Sequence, residues 1–317
     1  MSKKTLLSGV KPTGRPHIGN YFGAMKQFVD MQEEHNSMVF VADYHALNFI
    51  QDGEEMKKQI LDLTLDYLAI GLDPQKTIIY KQSDIPEHAE LTWIFDTITT
   101  MPYLMRAHAY KDAEAKDKEI SVGTFNYPML MSADILMYDP DIVPVGQDQK
   151  QHVEYARDTA QKFNHVFKKE VFKLPDVKII EDVAVVPGTD GRKMSKSYGN
   201  TIPLFAEDAE IEKAVMSIVT DSGSDIPENV YAIHRLLKSE EELKPLYEEH
   251  KGKYKALKEA LIVDMKAFIG PLREKRKQLE NDTDYVLDIL KEGGKRAKMQ
   301  AEKKMELVRE AIGVKLY

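Results

Sequence analysis

The 317-residue sequence contains no cysteine, which excludes disulfide bonds, thiolate metal sites and a cysteine nucleophile. It also lacks any apolar run long enough to cross a bilayer. The short apolar stretch that follows residues 1–4 does not have the pattern of a secretory signal. We therefore expect a protein of the reducing cytoplasm, with one or two domains.

Positive charge is in short supply over most of the chain, and the net charge at pH 7 is −8. Residues 251–317 are the exception, because they hold 17 basic and 11 acidic side chains, a net charge of +6. A basic end on an acidic protein could bind a polyanion, or it could consist of solvated helix faces. Charge alone leaves both interpretations open.

Strand-like and helix-like segments alternate through the first 200 residues. Alternation of this kind predicts a parallel sheet with helices on both faces. Glycine at position 71 is the expected end of the second long helix. The predicted strands lie at 3–9, 37–42, 77–80 and 141–145, and the predicted helices at about 18–33, 56–70, 87–99, 122–137 and 148–163.

The pattern changes after Asn200, where strand-like runs give way to helical periodicity rich in lysine and glutamate. We predict an α/β domain over residues 1–202 and an all-helical domain over 203–317, whose last helix could pack back on the first domain. Breaks between helices are expected near Pro227, Gly270-Pro271 and Gly293-Gly294.

Residues 193–197, Lys-Met-Ser-Lys-Ser, form a short polar run flanked by Gly188, Gly191 and Gly199. A lysine ammonium is a compact charge that suits phosphate oxygens, and glycine allows the backbone to approach a ligand closely. This segment indicates a site for a nucleotide.

A second polar segment, residues 12–20, follows the first predicted strand and reads Pro-Thr-Gly-Arg-Pro-His-Ile-Gly-Asn. Ligands of open α/β sheets bind beyond the carboxyl ends of the strands, and a helix N-terminus favours anions. His17 and Asn20 could donate hydrogen bonds there. The alternative is a strand–helix turn capped by its own polar side chains.

Taken together, the two segments, about 175 residues apart, resemble the paired signatures of class I aminoacyl-tRNA synthetases. Asn20 stands where many members have a second histidine, and this variant resembles the tryptophanyl branch. The likeness covers about Ser8 to Asn200 and extends more weakly into the tail. It implies a Rossmann-like catalytic domain, ATP with Mg²⁺, tRNA(Trp), an anticodon-binding tail and a homodimer. Without cysteine, the iron–sulfur cluster of some members is excluded.

The resemblance also implies roles for single residues around the nucleotide. Gly146 would let a ribose approach and Asp148 would accept from its hydroxyl groups, while Lys11 stands where members often carry glutamine. The implied catalytic residues are His17, Asn20, Lys193, Lys196 and Ser197. The implied ATP contacts are Lys11, Pro12, Thr13, Gly19, Asn20, Gly146, Gln147, Asp148, Val185, Lys193, Met194, Ser195, Lys196 and Ser197. No direct protein ligand to a metal is expected.

Tyr127, Met131 and Asp134 fall on one face of a predicted helix. Such a stripe is often plain core, but a buried carboxylate needs a partner, and an indole N–H can only donate. By resemblance, Asp134 accepts that N–H and Met131 packs against the ring. The related tyrosyl enzymes carry glutamine where Met131 stands.

The rest of the tryptophan pocket follows from the same resemblance. Tyr127 and Gln149 would hold the α-amino group, and His45 would orient the carboxylate unless it is a satisfied core histidine. Val143 and Val145 would wall the indole. The implied tryptophan contacts are Leu7, His45, Tyr127, Met131, Asp134, Val143, Val145 and Gln149.

Three other functions fit part of the pattern: a tyrosine–tRNA ligase, a small-molecule nucleotidyltransferase, and a non-catalytic paralogue that binds tRNA or protein. Met131 argues against the first, the long helical tail against the second, and the intact signatures against the third. Helices over 87–105 could form the dimer face or simply core. Candidate anticodon readers are Tyr254, Arg273, Arg276 and Arg296.

Overall fold

The computed structural model describes residues 3–107, 110–111, 114, 119–144, 150–174, 186–220 and 225–317. Its sheet consists of three parallel strands in the order β1-β2-β3, which confirms the predicted parallel sheet. The strands are β1 (Thr5–Val10), β2 (Asn36–Val41) and β3 (Thr77–Lys81).

The predicted fourth strand is represented, within the described residues, by one parallel bridge between Leu6 and Ile142. Val145, at the end of that prediction, lies outside them. The bridge nevertheless places this segment on the side of β1 opposite β2. The order of segments therefore reverses at β1, and ligands of such sheets bind where the order reverses.

The helices between and after the strands lie close to their predicted positions. Their bounds are α1 Ile18–Asn20, α2 Lys26–Met31, α3 Asp43–Ala46, α4 Gly53–Ala69, α5 Glu87–Ile98, α6 Met101–Leu104, α7 Val122–Leu136, α8 Lys150–Phe167, α9 Asp208–Met216, α10 Glu228–His234, α11 Glu240–Glu249, α12 Tyr254–Glu280 and α13 Thr283–Ala311. A π-helical segment, Tyr21–Met25, joins α1 to α2. None of the helices in these described ranges has the length and apolarity that a bilayer span requires.

Alternate side chains of β2 enter two separate hydrophobic clusters, one on each face of the sheet. Val39 and Val41 pack with α4, α9, α10 and α12, whereas Met38 and Phe40 pack with α5, α7 and α8. A buried strand of a parallel sheet is expected to be apolar on both sides. This confirms the prediction that helices cover both faces.

The last helix, α13, runs along the β3 edge of the sheet and contributes side chains to both clusters. Gly293 makes this possible, because a Cβ atom there would lie 1.8 Å from the carbonyl oxygen of Ile79. The predicted break at Gly293-Gly294 is therefore wrong. These glycines lie inside a continuous helix and serve close packing against an edge strand that would otherwise be open.

The predicted break at Gly270-Pro271 is also wrong, since both residues lie inside α12. Proline removes one intrahelical hydrogen bond, but the buried side chains of Leu261, Met265 and Ile269 anchor the same helix on the core. Tertiary packing here outweighs local propensity. The break near Pro227 is confirmed, because Pro227 is the N-cap of α10.

The chain around Pro203 lies beside the start of the first helical segment. Ile18 donates its backbone N–H to Ile202 (3.0 Å), and Leu204 donates to Pro16 (3.0 Å). The predicted boundary between two domains thus coincides with a stretch that is bonded to residues 16–18. The division into 1–202 and 203–317 stays a prediction.

Two helical glycines give a matched test of the close packing. Gly293→Ala should lower the free energy of unfolding by about 1–3 kcal/mol, because its methyl group overlaps the Ile79 carbonyl. Gly270→Ala should raise it by about 0.5–1 kcal/mol, since nothing lies within 4 Å of that position and alanine favours a helix. Urea denaturation measures both, and equal effects of the two substitutions would contradict the packing argument.

Candidate active site

The segment after β1 folds into a tight turn that leads into α1. Gly14 has a positive φ of 85°, a conformation that glycine adopts without strain. The side-chain oxygen of Asn20 accepts from the backbone N–H of His17 at 3.1 Å. This part of the capping alternative is therefore observed, and it fixes the backbone from which His17 projects.

The imidazole of His17 lies over Gly19. A Cβ atom on Gly19 would be 2.9 Å from Nδ1 of His17, so any larger residue would displace the imidazole. His17 is only 6% exposed, and no described residue provides a hydrogen-bond partner for Nδ1. A buried polar atom of this kind needs an explanation, and a bound ligand is one.

Burial and the nearby charge of Lys196 lower the pKa of His17 to about 4. The ring is therefore neutral near pH 7, so it acts on a ligand as a hydrogen-bonding group and not as a fixed positive charge. Binding of an anion would stabilise the protonated form and raise this pKa.

The second signature lies in a loop that is held by Asn200, a buried residue that sequence reasoning missed. Its side chain accepts from the backbone N–H of Ser195 (2.8 Å) and donates to Asp190 (2.6 Å) and to the carbonyl of Lys193 (3.2 Å). Asp190 also pairs with Arg192 at 2.6 Å. Positive φ angles at Gly191 and Gly199 allow the turns on either side.

Lys196 joins the two signatures directly. Its ammonium group donates to the carbonyl oxygens of Thr13 (2.8 Å) and Gly14 (2.9 Å). Burial lowers the pKa of Lys196, while the charge of Asp66 opposes that shift. The side chain of Met194 is buried beside Gly19. The structure therefore brings the two polar segments together at one edge of the sheet.

The other lysines and serines of the site lie at or near the surface, as Lys196 itself does. Lys193 and Ser197 are exposed, and the hydroxyl of Ser197 lies 2.9 Å from that of Ser195. The ammonium of Lys11 lies 4.7 Å from the centre of the Phe49 ring, a cation–π contact. Pro12 is buried next to Lys11.

On the opposite face of the sheet, Asp134 is held by three side chains. Its Oδ2 accepts from Nε2 of His45 (2.8 Å), and its Oδ1 accepts from Nε2 of Gln82 (2.7 Å) and Nδ1 of His88 (2.5 Å). The carboxyl group is only 1% exposed. The partner that a buried carboxylate requires is thus supplied by the protein itself.

Burial alone would raise the pKa of Asp134, but the hydrogen bonds that it accepts from His45 and His88 lower it to about 2. The group is therefore an ionised acceptor at neutral pH. Since a carboxylate offers about four lone-pair sites and three donors occupy it, one site remains for a ligand.

Of the other described residues of the predicted pocket, His45 is in direct contact with this carboxylate. It is hydrogen-bonded to Asp134 and contacts the ring of Tyr127 with centroids 6.3 Å apart, as the alternative of a satisfied core histidine requires. Its role toward the substrate carboxylate stays a prediction. The Tyr127 hydroxyl is 2.9 Å from Nε2 of His152. Three apolar residues of the predicted pocket belong to the hydrophobic cluster that contains Met38 and Phe40 of β2: Leu7 and Val143 lie in it, and Met131 packs against it.

Six predicted site residues lie outside the described residues: Val145, Gly146, Gln147, Asp148, Gln149 and Val185. Their roles stay predictions. Gln82 was missed, although it directly follows β3 and the carboxyl-end rule could have found it. His88, which lies in α5, carried no comparable signal.

Two of the proposed anticodon readers are engaged elsewhere in the chain. Arg273 donates to the carbonyl of Ala206 (2.6 Å) and pairs with Asp208 (2.9 Å). Arg276 pairs with Asp66 and Asp62 at 2.6 and 2.8 Å. These contacts bind α12 to α4 and α9, so both guanidinium groups are committed to ion pairs within the chain.

Comparison with known proteins gives consistent results over the whole length. A family model described as tRNA synthetases class I (W and Y) matches residues 2–261. Tryptophan–tRNA ligases from Fusobacterium nucleatum and Rhodopirellula baltica are 47% and 44% identical, each over 98% of this chain and 98% and 99% of their own. The crystal structure of tryptophanyl-tRNA synthetase from Campylobacter jejuni complexed with ADP and tryptophan matches with a TM-score of 0.91 and 43% identity, over 98% of this chain and 99% of that one.

The electrostatic link between the two segments can be tested without substrate. Lys196→Met should raise the pKa of His17 above about 4, because it removes a nearby positive charge. Lys193→Met is the matched control and should leave that pKa in place. Histidine NMR titration measures the His17 pKa in both variants. An unchanged pKa in the Lys196 variant would disprove the electrostatic link between Lys196 and His17.

Proposed function

The chain belongs to the class I tRNA synthetases for tryptophan and tyrosine, and we propose that the crevice between the two signatures and Asp134 is where it activates its amino acid. It is an ATP-dependent aminoacyl-tRNA ligase, and its substrate is tryptophan. The resemblance seen in the sequence is thereby confirmed. Its partners are tRNA(Trp) and tryptophan. Lys196, bonded to Thr13 and Gly14, is the observation that supports the site most directly.

In the first step, the tryptophan carboxylate attacks the α-phosphorus of ATP, and the bond to the leaving pyrophosphate breaks. The protein's share in such a displacement is positioning and charge stabilisation. Lys193 and Lys196 neutralise charge that develops on pyrophosphate, while Ser197 and neutral His17 donate hydrogen bonds. Lys196 reaches the phosphates by exchanging the carbonyls of Thr13 and Gly14 for phosphate oxygens.

Mg²⁺ enters with ATP in this proposal. Within the described ranges, no cluster of three or more His, Asp or Glu side chains is arranged to hold a metal ion. Mg²⁺ often keeps several waters and binds through substrate phosphates. The second step transfers the tryptophanyl group from the adenylate to a ribose hydroxyl, by family analogy the 2′-hydroxyl, of the terminal nucleotide of tRNA(Trp), and AMP leaves.

Tryptophan would lie with its indole N–H towards Asp134 and its ring against Met131, Leu7 and Val143. A site built to accept one hydrogen bond rejects analogues without the donor far better than an apolar pocket can. Tyr127, which is partly exposed and lies against the ring of His45, is our candidate for the α-amino group.

The helical tail, residues 203–317, is the proposed anticodon-binding region, with Tyr254 and Arg296 left as candidates. Only its C-terminal part, residues 251–317, carries an excess of positive charge, which suits a polyanion. Arg296 donates to the carbonyl of Pro74 at 3.3 Å, which leaves other donors of its guanidinium for RNA. We place the activity in the cytoplasm, because a chain without disulfides fits that reducing compartment.

ATP–pyrophosphate exchange tests the reaction and the amino acid together. We expect tryptophan alone among the twenty amino acids to support exchange. Exchange with tyrosine, or with none, would overturn the proposal.

The same assay tests the role of Lys196. Lys196→Ala should slow exchange by about 10²–10³-fold, because a charge contact made in the transition state is lost, and tryptophan affinity should be unchanged. Lys303→Ala, an exposed lysine on α13, is the control and should exchange at the wild-type rate. Equal rates in both variants would remove Lys196 from the mechanism.

We also propose a homodimer formed through α5 and α6. Trp93 is 70% exposed and Met101 68% exposed on these helices, and a contiguous exposed apolar patch marks an interaction surface. An isologous contact between two copies would bury both.

Sedimentation velocity tests the dimer. Trp93→Glu should convert a dimer to monomers, because it would bury two unpaired carboxylates at the interface. Val263→Glu is the control, since Val263 is 66% exposed on the helical tail and should leave the dimer intact. A monomeric wild-type protein, or a dimeric Trp93→Glu variant, would contradict this proposal.

A further inference from the structure

The two oxygens of Asp134 are not equivalent. Oδ1 accepts from two donors, Gln82 and His88, whereas Oδ2 accepts from His45 alone. Each carboxylate oxygen offers about two lone-pair sites. Oδ1 is therefore saturated, and the remaining acceptor site of the group lies on Oδ2.

The orientation of Gln82 is fixed by a contact on its other side. Its Oε1 accepts from the backbone N–H of Tyr44 at 3.1 Å, so its NH₂ group must point to Asp134. Gln82 is fully buried and directly follows β3. A hydrogen-bond network of this kind decides which way an amide points.

His88 is fixed in the same manner. Its Nδ1 lies 2.5 Å from Oδ1 of Asp134, and its Nε2 lies 2.9 Å from the hydroxyl of Tyr138. When the hydroxyl donates to Nε2, the ring proton is held on Nδ1, where it is donated to Asp134. The hydrogen bond at one ring nitrogen thus sets the tautomer at the other.

We propose that Gln82 and His88 are positioning residues that determine selectivity for the indole N–H, because they saturate Oδ1 and hold Oδ2 towards the substrate. This inference rests on the proposed tryptophan pocket and names residues that do not touch the substrate themselves. Without them, the carboxylate could rotate about its Cβ–Cγ bond and satisfy itself elsewhere. A fixed acceptor left unpaired by an analogue is what makes a polar site selective.

A purely structural role is the competing explanation, and the chain contains a matched control for it. His234 is also fully buried and lies between a carboxylate and a tyrosine hydroxyl: its Nε2 is 2.7 Å from Asp264 and its Nδ1 is 3.2 Å from Tyr247. This second Asp–His–Tyr group lies in the helical tail. Substitution there reports the effect of losing such a group on stability alone.

The experiment compares tryptophan with its sulfur isostere 3-(benzothiophen-3-yl)alanine, which has the same shape and no N–H donor. The measured quantity is the ratio of kcat/KM for the two substrates in ATP–pyrophosphate exchange. We expect Gln82→Met and His88→Leu each to reduce this ratio by about tenfold or more, through a higher KM for tryptophan at nearly unchanged kcat. His88→Asn, whose amide can replace the Nδ1–H donor, should retain most of the ratio. His234→Leu should leave it at the wild-type value.

The arms separate two kinds of failure. If Asp134→Ala leaves the ratio unchanged, the tryptophan pocket itself is wrong. If Asp134→Ala abolishes the selectivity while Gln82→Met and His88→Leu keep the wild-type ratio, the pocket stands and the positioning inference is wrong. If Gln82→Met or His88→Leu does not fold, the less disruptive substitutions Tyr138→Phe and His88→Asn replace them in the test. An unchanged ratio in Tyr138→Phe, or a ratio in His88→Asn no better than in Asp134→Ala, then overturns the inference.

Discussion

The contact between the Lys196 ammonium and the carbonyls of Thr13 and Gly14 is the interaction on which the site depends. It joins segments more than 180 residues apart in the chain and lies where the strand order reverses at β1. Two positively charged or polar segments become one anion site only when the loop that carries Lys196 is held against the first turn. The buried side chain of Asn200 holds that loop through hydrogen bonds to Ser195 and Asp190.

Two buried carboxylates show how strongly the fold controls charge. Three donors hold Asp134, and the pKa falls to about 2 despite burial. At Asp66, burial raises the pKa to about 6, and Arg276 only partly opposes it. Both groups are almost fully buried, so the number and placement of donors decide the difference. Asp134 is thereby an acceptor at neutral pH, which is the chemistry a donor-only indole requires.

Several local signals in the sequence had a different meaning in three dimensions. Glycine pairs and Gly-Pro are usually breakers, yet Gly293 lies inside a helix because β3 approaches it, and Pro271 lies inside a helix because one face of that helix is anchored in the core. Arg273 and Arg276 have the side chains that read RNA, but they are engaged in ion pairs with α4 and α9. Propensity and composition describe single segments, and each of these outcomes depends on a neighbouring element.

The sequence by itself determined the class of fold, the positions of most strands and helices, and the two segments that we propose hold ATP, because hydrophobic period and glycine–lysine chemistry are local properties. It also singled out Asp134 as an unusual charge on an apolar face. Only the tertiary structure decided what surrounds that charge. Gln82 follows β3 and His88 lies in α5, both far from Asp134 in the chain. Their donors meet its carboxylate only because the sheet and two helices pack together. A hydrogen bond depends on distance and direction in space, which spacing along a chain does not record.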